Sequence, residues 1–114
     1  MGRRRGLIAT VLLVALAACA GDTTAGMEGE LLVSTAASLT DAFAEIEEAF
    51  EAANQNVDVV LNLGPSSGLR EQILEGAPVD VFASANTSNM DQLREGGEVS
   101  GEPQIFVKNV LQIA

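Results

Sequence analysis

The sequence predicts an α/β domain, a parallel sheet with helices on both faces, and three observations predict it. Apolar, β-branched runs near 31–33, 57–63 and 79–83 have strand character. Between them lie stretches with apolar residues every three or four positions, and glycine, proline or asparagine closes nearly every segment. Strands alternating with helices at this spacing form β-α-β units with right-handed crossovers, hence a three-layer arrangement.

Leu31, Leu32 and Val33 make the first strand, bounded by Ser34 and the small residues after it. Leu39, Ala42, Phe43, Ile46, Ala49, Phe50 and Ala53 then recur at helical intervals, while Asp41, Glu45, Glu47, Glu48 and Glu51 mostly take the other faces. Asn54 ends that helix. Val57, Val59, Val60, Leu61 and Leu63 form a second strand, closed by Gly64 and Pro65. A shorter helix is expected from Leu69 to Glu75, with Gly76 just past its C-cap and Pro78 as a stop. Val79, Val81, Phe82 and Ala83 form the third strand. Ser88 with Asp91 three residues later marks a capped helix through Arg94, terminated by Gly96 and Gly97. Ile105 to Val107 and Val110 to Ile113 are expected as extended structure.

Ahead of this domain the chain carries an export signal. Arg3, Arg4 and Arg5 precede an apolar run from Leu7 to Ala18, broken by Thr10 alone. At about 1.5 Å per residue that run falls short of a hydrocarbon core of roughly 30 Å, so residues 1–18 read as a signal peptide. Leu16, Ala17 and Ala18 before Cys19 resemble a bacterial lipobox, in which the cysteine is acylated and becomes the new N-terminus. A plain cleaved signal is the alternative. Residues 19–29, rich in glycine and threonine, form a flexible tether, and residues 30–104 form the α/β domain.

Composition excludes several functions. Cys19 is the only cysteine and histidine is absent, which removes intrachain disulfides, thiolate or imidazole zinc sites, and Ser/His/Asp or Cys/His catalysis within this segment. All sixteen acidic residues lie beyond Cys19, against three basic ones, a net charge of −13 after processing. Such a surface disfavours nucleic acid and anionic lipid, so lipid acylation would supply the tethering.

In a parallel sheet, ligands bind beyond the carboxyl ends of the strands. Two serine-bearing segments fall there: Thr35-Ala36-Ala37-Ser38-Leu39-Thr40-Asp41 after the first strand and Gly64-Pro65-Ser66-Ser67-Gly68 after the second. Each offers hydroxyls and backbone N–H groups at a helix start, where aligned peptide dipoles favour an anion. The competing reading is local. Ser38 with Asp41 has the form of a helix cap, and Ser67 could cap the next helix while Ser66 faces outward.

Beyond this, Ala36-Ala37-Ser38-Leu39-Thr40, Gly64-Pro65-Ser66-Ser67-Gly68-Leu69 and Gln72-Ile73-Leu74-Glu75-Gly76-Ala77-Pro78-Val79-Asp80-Val81-Phe82-Ala83-Ser84-Ala85 occur in the order of the molybdate-binding proteins of ABC importers, and the chain resembles that family from Leu31 to Ala114. The resemblance implies one lobe of a two-lobe periplasmic binding protein. It further implies that Ser38 and Ser66 contact molybdate or tungstate, with Ala37 and Ser67 as secondary contacts, and that the protein is a binding protein without cofactor and not an enzyme. Asn86 departs from the aspartate of many relatives.

The implied partners are the small oxyanion and the importer's transmembrane permease subunits, and indirectly their ATPase, with no nucleic acid. The protein is expected as a monomer, exported, and lipid-anchored on the outer face of the cytoplasmic membrane or in the periplasm. Sulfate, phosphate or another small anion is the alternative ligand. Phosphate retains a proton at neutral pH and needs an acceptor, whereas neither serine loop contains an acidic residue next to its hydroxyls, apart from nearby Asp41. Residues 105–114 read as the start of a crossover strand towards a missing second lobe, so this segment alone is expected to bind oxyanions poorly.

Overall fold

The computed structural model describes residues 26–110 and Gln112; the signal peptide, Cys19 and most of the tether fall outside them. Strand β1 (Gly29–Ala36) is central, flanked by β2 (Val57–Gly64) and β3 (Val81–Ala83), and both pairings are parallel. Only β1 is shielded along both edges, and its last four residues, Val33 to Ala36, are all buried. Helices α1 (Thr40–Ala53), α2 (Ser66–Leu74) and α3 (Thr87–Glu95) complete the fold.

Side chains alternate across the sheet, and the alternation places the helices. Leu31, Val33, Val59, Leu61 and Val81 share one face with Phe43, Ile46 and Phe50 of α1 around an open apolar trough. On the other face Asn62 bridges Ser34 and Gln72 of α2, and Phe82 lines a recess with Ile73 of α2 and Met90 and Leu93 of α3. Thus α1 covers one side, α2 and α3 the other. This is the three-layer α/β lobe that the alternation of strands and helices predicts.

The termini of the elements are specified by short-range chemistry. Asn54 closes α1, its side-chain amide donating to the Phe50 carbonyl at 2.9 Å. Gly76, at φ +97°, lets its own N–H reach Ile73 O and the Ala77 N–H reach Gln72 O, both 2.9 Å. Gly97, at φ +78°, does the same for α3 through Arg94 and Leu93. Both are the glycine-terminated double bond expected of a helix end. Two carboxylates serve the sheet: Glu51 of α1 accepts the Val59 N–H at 2.7 Å, and Asp80 accepts the Leu32 N–H at 2.8 Å while its own N–H reaches Leu32 O. The Asp80 of the Gly-Ala-Pro-Val-Asp motif therefore extends the β1–β3 ladder beyond Val81.

Several expected element boundaries need correction. Strand β1 runs to Ala36, so Thr35 and Ala36 belong to the strand, not to the loop after it, and Gly29 belongs to the strand, not to the tether. Helix α2 starts at Ser66, not Leu69, because Pro65 in extended conformation offers its carbonyl to the Leu69 N–H at 3.0 Å. The third strand is shorter than 79–83, and α3 is capped by Asn86, not Ser88, with Asn86 Oδ1 accepting the Asn89 N–H at 3.1 Å. Ile105 to Val107 pair with no described strand and are exposed; Phe106 meets Phe43 edge to face at 6.4 Å.

Candidate functional site

Because α1 and α2 lie on opposite faces, the chain leaves the adjacent strands β1 and β2 in opposite directions. Ala36 and Gly64 are register partners, so the departures begin level with one another. In α/β sheets ligands bind beyond the carboxyl ends of the strands, where such connections diverge. Ser38 and Ser66 each stand two residues beyond that level, at the starts of the two connections.

Their surroundings differ. A 3-10 turn over Ala37–Leu39 precedes α1, and neither it nor α1 has a side-chain cap. The capping role open to Ser38 is therefore not taken. Instead the Thr40 hydroxyl donates to Ala37 O at 2.7 Å, which closes the turn and leaves Ser38 and Ala37 exposed. Among the described residues the Ser38 hydroxyl has no hydrogen-bond partner.

Ser66 is buried, 9% exposed, and Ser67 beside it is exposed. The outward-facing reading of Ser66 is thus reversed, and Ser67 caps nothing, since Pro65 is the N-cap and makes no side-chain bond. Ser66 Oγ accepts the Ala85 N–H at 3.0 Å. With that acceptance made, its O–H proton is directed elsewhere and is polarised for donation. The first intrahelical bond of α2 is made by Leu69, so the N–H groups of Ser66, Ser67 and Gly68 are the orphan donors of the helix start. No acidic residue sits in the first turn of α2, whereas Asp41 occupies that of α1. The α2 side is accordingly the more favourable to an anion.

The third strand delivers its loop to the same edge. Ser84 Oγ donates to Asn86 O at 2.8 Å, and Asn86 caps α3. Asn89, 6% exposed, donates its side-chain amide to Asn86 Oδ1 at 3.0 Å and accepts from Arg70 Nη1 at 2.9 Å. Ala85, Asn89 and Arg70 escaped the sequence reading because their roles depend on contacts nineteen positions apart. Only the four-residue spacing of Ser66 and Arg70, which puts them on one face of a helix, was available as a signal. Among the described residues no cluster of three or more His, Cys, Asp or Glu could hold a metal ion.

Residues 31–114 match the family of bacterial extracellular solute-binding proteins. The chain belongs to this family. Among curated members, the molybdate-binding protein ModA of Mycobacterium tuberculosis is 36% identical over 99% of this chain, and the chain spans 46% of its length. Among solved structures, a Clostridium difficile substrate-binding domain assigned to a molybdenum ABC transporter is 45% identical, with a TM-score of 0.56, over 58% of this chain and 29% of that one. The sulfate-binding protein SubI of Mycobacterium tuberculosis shares the fold, with a TM-score of 0.57 at 19% identity over 61% of this chain and 25% of its own. The resemblance stated from the serine loops and the Gly-Ala-Pro motif is borne out, and the α/β lobe is that of this solute-binding family.

Proposed function

We propose that this chain is the first lobe of the extracytoplasmic binding component of an ABC importer, capturing molybdate or tungstate for a membrane permease, and that it is a binding protein and not a catalyst. The observation that supports the reading is the Ser66 hydroxyl, which accepts the Ala85 N–H at a helix start without a side-chain cap and keeps its own proton for donation, while the Ser38 hydroxyl at the start of the neighbouring connection is unpaired among the described residues; the two hydroxyls would face one crevice. Ala37 and Ser67 would add backbone donors. Neutral donors hold a fully ionised dianion without a buried countercharge, which suits an anion that must later be released. The names of the molybdate-binding relatives support this choice of ligand. Acylation at Cys19, and the division into signal, tether, lobe and crossover strand, belong to the same proposal.

The test is titration of molybdate, tungstate, sulfate and phosphate into residues 20–114 alone and into the same lobe joined to the C-terminal half of the Mycobacterium tuberculosis relative. The joined form binds molybdate and tungstate in mutual competition, and the lobe alone binds far more weakly. Ser38→Ala and Ser66→Ala in the joined form each weaken molybdate by roughly tenfold or more, as expected for a hydrogen bond to a charged group. Unchanged affinity in both variants would abandon the serine site.

A further inference from the structure

Arg70 is the feature of the site region that the binding reading leaves unexplained. Its side chain is 16% exposed, and its Nε–H is buried with no hydrogen-bond partner among the described residues. Burying a guanidinium with one donor unsatisfied is costly, and an apolar side chain of similar length would fill the space between α2 and α3 without that cost. Its Nη2 does reach a carboxylate, the exposed Glu71 Oε1 at 3.1 Å, and the other cations differ in burial: Arg94 is half-exposed beside Asp91 and Glu102, and Lys108 lies in an exposed segment.

What Arg70 touches forms a circuit. Its Nη1 donates to Asn89 Oδ1 at 2.9 Å, and Asn89 directs both its backbone N–H and its side-chain amide at Asn86 Oδ1, at 3.1 and 3.0 Å. Asn86 follows Ala85, whose N–H meets Ser66 Oγ at 3.0 Å. Ser66 and Arg70 are four residues apart on α2, so the circuit begins and ends on one helix face. The orientation of the Ser66 hydroxyl thus depends on where the β3–α3 loop sits, and that loop is pinned to α2 at its far side by Arg70.

We propose that Arg70 is a positioning residue for Ser66: through Asn89 and Asn86 it holds the Ala85 N–H against Ser66 Oγ, so that the serine proton is committed to the crevice. This rests on the reading of Ser66 as an anion donor, yet its first test needs no ligand. Amide hydrogen exchange of the chain, followed by NMR, reports the Ala85 N–H directly. Arg70→Met and Asn89→Ala each speed Ala85 exchange by roughly tenfold, the loss of about one hydrogen bond, while β1 amides such as Val33 stay within about twofold. The double variant adds little to either single one, because both act on one path. Arg70→Lys, which retains a donor for Asn89, recovers most of the protection.

Unchanged Ala85 exchange in Arg70→Met, an equal rise at Val33, or simple additivity in the double variant would each overturn the proposal. A thermal-shift titration with sodium molybdate on the two-lobe form then separates the two ideas. If that form fails to respond while the exchange results hold, the anion reading fails and the positioning circuit stands. If it responds, Arg70→Met lowers molybdate affinity in the wild-type background but not in Ser66→Ala; an equal loss in both backgrounds would show that Arg70 acts on the anion by another route.

Discussion

Thr35 shows how a single residue near the crevice can be at odds with stability. It is fully buried on β1, level with Leu63 and Ala83, and its hydroxyl has no hydrogen-bond partner among the described residues. Such an orphan costs about 1–3 kcal/mol. Thr35→Val, which keeps the branched shape and removes the hydroxyl, is therefore expected to raise stability by about 1 kcal/mol in urea denaturation. A loss of stability would mean that the hydroxyl is satisfied in solution. Asn86 is the opposite case, since its side chain both caps α3 and anchors Asn89. Asn86→Ala should cost about 1 kcal/mol, typical of a lost N-cap, and in the same measurement Ser88→Ala should cost almost nothing.

At the scale of elements, two glycines at helix ends, Gly76 just past α2 and Gly96 at the C-cap of α3, respond differently to a methyl group. Gly76 sits at φ +97° with nothing within 4 Å of an added Cβ, so Gly76→Ala strains the backbone alone and should cost about 1 kcal/mol. Gly96 has helical φ, −75°, and its added Cβ would come within 3.0 Å of Leu74 Cδ2, the end of a side chain that is 45% exposed and free to move. Gly96→Ala should be close to neutral by thermal denaturation. These helix ends, like the apolar stripe of α1 and the run of β2, were legible in the sequence because each depends on neighbours within five residues. The start of α2 was not, since Pro-Ser-Ser-Gly has the composition of a turn, and it is the Leu69 N–H to Pro65 carbonyl bond, with Ser66 and Leu69 buried, that draws it into the helix. Ser38 and Ser66 were found from their places after strands. Their distinct environments were hidden, because the partner of Ser66 comes from the third β-α loop and Thr40, not Ser38, closes the first.

For the whole molecule, charge and site oppose one another. The chain beyond Cys19 carries sixteen acidic residues against three basic ones, yet the proposed ligand is a dianion. Local donors can hold the ion once it arrives, but the surrounding field repels it during approach. Asp41, in the first turn of α1, and Glu45 and Glu48 further along that helix are exposed, on the helix that follows Ser38. Neutralising them as Asp41→Asn, Glu45→Gln and Glu48→Gln leaves every donor in place. In the two-lobe form, stopped-flow association of molybdate with this triple variant should be several-fold faster than wild type at about 0.01 M salt, where charges act over roughly 30 Å. The difference should close towards about 1 M, where screening confines them to roughly 3 Å, and dissociation should change little throughout. Equal association rates at low salt would mean that the ion approaches from a direction α1 does not face, and would move the entrance of the crevice to the α2 and α3 side.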